Sequence, residues 1–353
     1  MRTSKVTVLT MAATYIGTVV GAGFASGQEV LQFFGLFGPL GIPAVTVAVL
    51  GFFVFGYACM EIGRQTKASS HQPVLRKVAG KTISRLLDFV TTFFLLGALS
   101  AMISGAGSVI SQEFGLPWFA GASVMAVITF VTVLTGLKGI TYVISSIVPF
   151  LLGGVFLISI AVICRNGLHI GLPPEGYEPP VKPWLLSGLN YVSYNILISV
   201  PVLSALGATA NSRNEVFKAS GLGALGLGLG LLSVYLTITS SFPYIVNYEV
   251  PLARLASDMW AFGGPFYVTI FMAEVYTTAV ANLYGFSARF SRPGSIRFKA
   301  TALITSVIAL WAASAGFSTL VRIVYPVSGW AGTVFVCSLA VYLVRTLLSG
   351  QGK

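Results

Sequence analysis

Residues 17–29 read Gly-Thr-Val-Val-Gly-Ala-Gly-Phe-Ala-Ser-Gly-Gln-Glu, within an apolar run long enough to cross a membrane. Four glycines, Gly17, Gly21, Gly23 and Gly27, disfavour an unbroken helix there. Each costs roughly 1 kcal/mol against alanine in a helix interior. Unpaired backbone groups cannot face lipid, so a break at mid-depth requires a polar cavity around it. Such cavities hold ions and solutes in transporters. A plainer reading keeps the helix intact and uses the glycines as a packing face.

The composition places this stretch in a polytopic membrane protein. The 353 residues are 55% hydrophobic and 9% charged, with mean hydropathy +0.86. Soluble domains carry about 25% charged residues. We place ten spans at 7–35, 40–63, 85–112, 117–136, 140–164, 184–206, 219–242, 264–288, 299–316 and 320–346. The first run lacks the cleavage pattern of a signal peptide and is read as a span.

The formal charge of +11 follows the loops and does not point to nucleic acid. Of 21 Lys and Arg residues, Arg165, Lys182, Arg254 and Arg322 fall on one side of the spans and the other 17 on the opposite side. The positive-inside rule then puts both termini in the cytoplasm, as expected for a multi-pass protein of a bacterial plasma membrane. Cys59, Cys164 and Cys337 are too scattered for a disulfide framework or a metal site. His71 and His169 fall in loops, and no Ser/His or HExxH set is present, so an enzyme is not expected.

Residues 166–183, rich in Pro and Gly, divide the chain into five spans and five spans. An odd number per half forces opposite orientations, the topology of an inverted repeat covering about 7–164 and 184–346. The whole is one transmembrane domain with spans one and six expected to be discontinuous. Residues 244–262 are amphipathic and predict a short outer helix. The glycine run 221–230 in span seven predicts close helix packing, or else a hinge.

Three constellations carry chemistry. In span one, a break near Gly21–Gly23 exposes the N-terminus of a second half-helix, formed from Gly21, Ala22, Gly23, Phe24 and Ser26, and the free carbonyls of the first. The former favours an anion and the latter a cation, so one cavity accommodates a zwitterion and a small metal ion. In span six, Asn190, Tyr191, Tyr194 and Asn195 form a polar cluster at the matching position of the second half; interhelical hydrogen bonding is the plainer alternative. In span eight, Glu274, Thr277 and Thr278 share one helical face. Their hard oxygens suit a small cation, although a protonated Glu274 bonded to a neighbouring helix is an alternative.

Glu29 falls about 10 Å beyond the proposed break at 1.5 Å per residue. It is suited to bind a cationic group, to gate the vestibule, to take up a proton, or to pair with Arg322. Asp88, Glu61 and Glu113 fall near span ends and receive no transport role.

Residues 21–29, Gly-Ala-Gly-Phe-Ala-Ser-Gly-Gln-Glu, in a ten-span chain resemble the uncharacterised YkvI-like membrane protein family. More distantly the chain resembles LeuT-fold transporters of the amino acid–polyamine–organocation superfamily. That resemblance implies unwound spans one and six around a solute, with Gly21, Ala22, Gly23 and Phe24 matching the motif of span one; the reading of the residues adds Ser26, Glu29, Asn190, Tyr191, Tyr194 and Asn195 as candidate solute contacts. It also implies a sodium site made by the Gly17, Val20 and Glu274 carbonyls with the Thr277 and Thr278 hydroxyls. Proton-coupled relatives use a lysine of span five, whereas Lys138 stands at the cytoplasmic end, which favours Na+. Phe24 stands where some relatives place an asparagine for a second sodium, so no second site is implied.

The resulting expectation is a sodium-coupled symporter of a small amino-acid-like or amine solute, with no organic cofactor. The alternatives are proton coupling through Glu29 or Glu274, and a channel or structural membrane protein. The partners are the solute and the lipid bilayer; the sequence assigns neither solute identity nor oligomeric state.

Overall fold

The structure is a computed structural model that describes residues 6–68, 70–248, 251–260 and 262–348. The side chains of Ala22, Glu113, Lys138 and Arg322 lie outside the described set, as do Arg2, Lys5 and Lys353. Every regular element among the described residues is helical.

The first span is broken. Helix α1 (Val8–Val19) ends where Val20 turns extended, at φ −65° and ψ 128°. Gly21 is extended as well, and α2 (Ala22–Ser26) follows. Gly27, at φ 83°, then starts α3 (Gln28–Phe33). That left-handed conformation is open to glycine at little steric cost. The break thus lies at Val20–Gly21, with a second bend six residues on.

A short 3-10 segment (Gly35–Leu40) leads into α4 (Gly41–Thr66). Helix α5 (Gln72–Phe114) bends at Gly80 (φ 70°), so residues 72–79 form a separate arm before the expected span. Helices α6 (Trp118–Leu134) and α7 (Gly136–Asn166) complete the first half. Residues 167–183 contain no helix. The second half comprises α8 (Trp184–Thr209), α9 (Arg213–Thr239), the short α10 (Pro251–Met259), α11 (Gly263–Phe290), α12 (Ile296–Ala313) and α13 (Phe317–Leu348).

Among the described residues, eight helical segments are long and apolar enough to cross a membrane. Val8–Val19 and Trp118–Leu134 are apolar but shorter. The apolar side chains Leu50, Phe89, Val127, Ile160, Leu225 and Trp311 point outward, whereas Ser, Thr, Asn and Glu side chains lie within the bundle. Outward apolar faces and a partly polar interior are what lipid as a solvent selects.

Helix α8 departs from the expectation of a second break, being helical throughout from Trp184 to Thr209. Its glycines, Gly188 and Gly207, sit near its ends. The polar side chains that suggested an interruption bond their own helix. Ser193 Oγ donates to Leu189 O at 2.7 Å, and Asn195 Nδ2 to Tyr191 O at 2.9 Å. Pro201 removes one ladder donor below this cluster.

Helix α9 is likewise continuous, and its glycines are places of close approach. A Cβ at Gly223 would meet Tyr15 Cδ1 at 2.4 Å, and one at Gly228 would meet Val49 Cγ2 at 2.5 Å. The amphipathic 244–262 stretch holds a 3-10 turn (Tyr244–Asn247) and α10, which packs on α2 and α11.

Helix α1 packs on α7 and α9, and α8 packs on α13 and α4. Helix α5 packs on α6, α12 and α13, and α11 packs on α12, α6 and α7. This arrangement places the break of the first span at the centre, against α8 and α11.

Candidate functional site

The α1–α2 break opens onto a small cavity. Its walls are Thr18, Val19, Val20, Gly21 and Glu29 from the first span, Phe94 and Ala98 of α5, Tyr194, Asn195 and Ile198 of α8, and Thr278 and Asn282 of α11. Water centres have about 20 Å³ inside it, little above the ~10–15 Å³ that one water requires. In this state the cavity is the size of an ion or a water molecule.

One wall consists of helix-end oxygens. Helix α1 ends at the cavity, so its last carbonyls lack intrahelical partners and carry the negative end of the helix dipole. Thr278 Oγ1 lies 3.2 Å from Val20 O and donates to it. Ser199 Oγ approaches Thr18 O at 3.4 Å. Thr277 Oγ1 donates to Glu274 O at 3.0 Å. The Thr277, Thr278 and Glu274 side chains are all within the buried interior. Gly17 meets α7 closely, since a Cβ there would lie 2.5 Å from Ile144 Cγ2.

Glu29 is the one acidic side chain among the described lining residues. Gly27 turns α3 back toward the break, and Glu29 reaches over Gly23. A Cβ at Gly23 would lie 2.0 Å from Glu29 Oε1. Glu29 therefore stands beside the break rather than a half-helix beyond it. Tyr194 Oη donates to Glu29 Oε2 at 2.7 Å. Glu274, only 1% exposed, makes no well-aligned hydrogen bond from either carboxylate oxygen, with the Thr278 hydroxyl as the donor beside it. An ionised carboxylate so placed costs several kcal/mol unless a proton or a cation compensates it.

Other residues of the predicted set stand apart from the cavity. Phe24 is 1% exposed, and its ring tip faces Gly230 of α9. Ser26 Oγ donates to Gly23 O at 2.8 Å and accepts from Gln28 N at 3.1 Å, bracing the α2–α3 bend. Asn190 lies toward Gly329 of α13. Tyr191 belongs to an aromatic cluster with Phe34 (centroids 5.0 Å apart), Phe33 (5.5 Å) and Tyr194 (5.6 Å). This cluster joins the end of α3 to α8, and Tyr194 is its member that lines the cavity.

Two features escaped the sequence reading. Asn282, one turn beyond Thr278, lines the cavity and is 1% exposed, with its Nδ2 unpartnered. Its i, i+4 spacing from Thr278 was the available signal. At the Lys- and Arg-rich end, Arg289 of α11 makes a two-pronged ion pair with Asp88 of α5. His71 Nε2 lies 2.9 Å from Asp88 Oδ1. His71 is fully buried rather than in an open loop.

No family model matches the chain. The chain is 30% identical over 337 residues to the uncharacterised protein YyaD of Bacillus subtilis (strain 168), covering 93% of this chain and 94% of the relative. The chain belongs to that family. A further relative, the uncharacterised membrane protein YkvI of the same organism, is 27% identical over 341 residues, with 96% and 97% covered.

Solved structures share the architecture of this YyaD and YkvI family member. A substrate-bound, outward-open Na+-coupled sialic acid symporter has a TM-score of 0.67 at 11% identity, over 94% of this chain and 79% of that one. MhsT in complex with L-phenylalanine has 0.66 at 16%, over 93% and 87%. Mhp1, a nucleobase-cation-symport-1 family transporter, has 0.55 at 15%, over 95% and 75%. The likeness is one of fold: the chain is an all-helical membrane protein of the LeuT type.

Proposed function

We propose that the protein is a secondary transporter that couples sodium entry to uptake of a small amino-acid-like or amine solute by alternating access. The observation that carries this reading is the Thr278 hydroxyl, 3.2 Å from the Val20 carbonyl at the broken end of α1. It joins the first span to α11 through oxygens alone. The donor set suits the ion: the Gly17, Val20 and Glu274 carbonyls and the Thr277 and Thr278 hydroxyls are hard ligands of the kind small cations take. Sodium at this shelf would link α1 to α11 and bias the transporter toward one facing state.

Two fold neighbours support the reading. One is a Na+-coupled symporter, and another is in complex with an amino acid. Ten spans, inverted halves of about 7–164 and 184–346, cytoplasmic termini and a bacterial plasma membrane complete the proposal.

A second reading, proton coupling, has one observation of its own: the Glu274 carboxylate is 1% exposed and makes no well-aligned hydrogen bond. The test is uptake into proteoliposomes under an inward sodium gradient, a potassium gradient of equal size, or a pH gradient alone. Concentrative uptake with sodium only supports the proposal. Equal uptake in sodium and potassium, driven by the pH gradient, assigns the coupling to Glu274 or Glu29. Passive, non-saturating flux favours a channel.

A further inference from the structure

The α1–α2 break exposes backbone to the cavity, at the place where a charged group of a solute would sit. Here the chain's own carboxylate stands there. Glu29 Oε1 lies so close over Gly23 that a single added carbon would meet it at 2.0 Å. Tyr194 anchors Oε2 at 2.7 Å, and Oε1 has no hydrogen-bond partner among the described residues. We propose that the solute carries one positive charge and no carboxylate, because Glu29 supplies the anion at the helix break. The proposal rests on the transport reading above, in taking this cavity as the solute site.

The rest of the cavity agrees. No Lys, Arg or His lines it among the described residues. A solute carboxylate would meet the Glu29 carboxylate, with no basic side chain among the described lining residues to offset it. A solute ammonium group meets the reverse situation, with Oε1 of Glu29 available as acceptor. Sodium at the Val20–Thr278 shelf and an ammonium at Glu29 give two cations for two carboxylates, the buried Glu274 and the half-buried Glu29. Asn282 Nδ2 faces the same space without a partner and is suited to a neutral oxygen on the solute. Gly23 has a specific place in this scheme, since any side chain there would occupy the position of the Glu29 carboxylate.

The test is the thermal stability of the purified full-length protein in detergent with sodium present. The probes are two matched pairs, ethanolamine with serine and isobutylamine with valine. A ligand bound only by the native state raises the melting temperature in proportion to ln(1 + [L]/Kd). An amine raising it while its paired amino acid does not is the expected result. E29Q abolishes that response and retains the response to sodium. G23A, which keeps the carboxylate but displaces it, weakens amine binding roughly tenfold, and it serves where E29Q does not fold. The proposal is overturned if an amino acid stabilises as well as its amine, if neither amine stabilises, or if E29Q keeps the amine response. Binding of an amine that is never accumulated in sodium-gradient vesicles supports the ligand class and defeats the transport reading, so the two failures are distinct.

Discussion

The Thr278 hydroxyl meets the Val20 carbonyl across 258 residues of sequence, at the point where α1 stops being a helix. A carbonyl at a helix end has lone pairs to spare, and a threonine hydroxyl can turn its proton away when a cation arrives. A second hydrogen bond, from Tyr267 Oη of α11 to Ala25 O at 2.9 Å, joins the same two elements beyond the break.

T278A removes one oxygen from the shelf and leaves the helix intact. We expect the sodium concentration for half-maximal stabilisation to rise at least about tenfold, or ~1.4 kcal/mol. T278S, which restores the hydroxyl, returns it close to the starting value. T277A acts in the same direction. Sodium titrations of melting temperature measure both. An unchanged sodium response in T278A removes sodium from this shelf.

Gly17 sets how closely α1 approaches α7. A Cβ there lies 2.5 Å from Ile144 Cγ2 and 2.6 Å from Val148 Cγ2. Both contacts are with β-branched side chains that have little rotamer freedom. G17A should therefore overpack the crossing and cost about 1–3 kcal/mol. Trimming Ile144 to alanine in the same protein recovers part of that loss. Non-additivity of the two changes in a double-mutant cycle is the measurement.

The first break was legible because glycine acts on the backbone directly: Gly21 and Gly27 mark the two bends of the first span. The polar cluster of α8 misled because side chains such as Ser193 and Asn195 can be satisfied by their own helix, which leaves no trace in composition. The position of Glu29 was not legible. It depends on which way the chain leaves Gly27, and glycine permits several directions. The link from Asp88 to Arg289 spans 201 residues, and charges near span ends read as solvated until the fold brings them together.

That link makes its own prediction. The Asp88 and Arg289 side chains are 11% and 26% exposed, so neither charge is well hydrated alone. R289A leaves Asp88 with only His71 beside it and should cost roughly 2 kcal/mol, less than the ~3–5 kcal/mol of a fully buried broken pair. D88N combined with R289Q, which removes both charges, should cost less than R289A. Thermal melts of the three variants order them.

His71, just before α5, gives a pH dependence. Burial pushes its imidazole below the usual histidine range, against the pull of the neighbouring Asp88 carboxylate. Burial outweighs the pull of Asp88 Oδ1, 2.9 Å from His71 Nε2, and the Arg289 charge acts in the same direction as burial. Below the unfolded value, near 6.5, the unfolded chain binds a proton that the folded chain does not. Stability therefore rises with pH across the interval between the folded and unfolded values. The contribution is complete above about pH 6.5 and is lost as the pH falls toward the depressed folded value. H71N removes the titrating group, so the fall in melting temperature between pH 7.5 and 5.5 should be smaller in that variant than in the unmodified protein. An equal fall in both places the acid sensitivity on other groups.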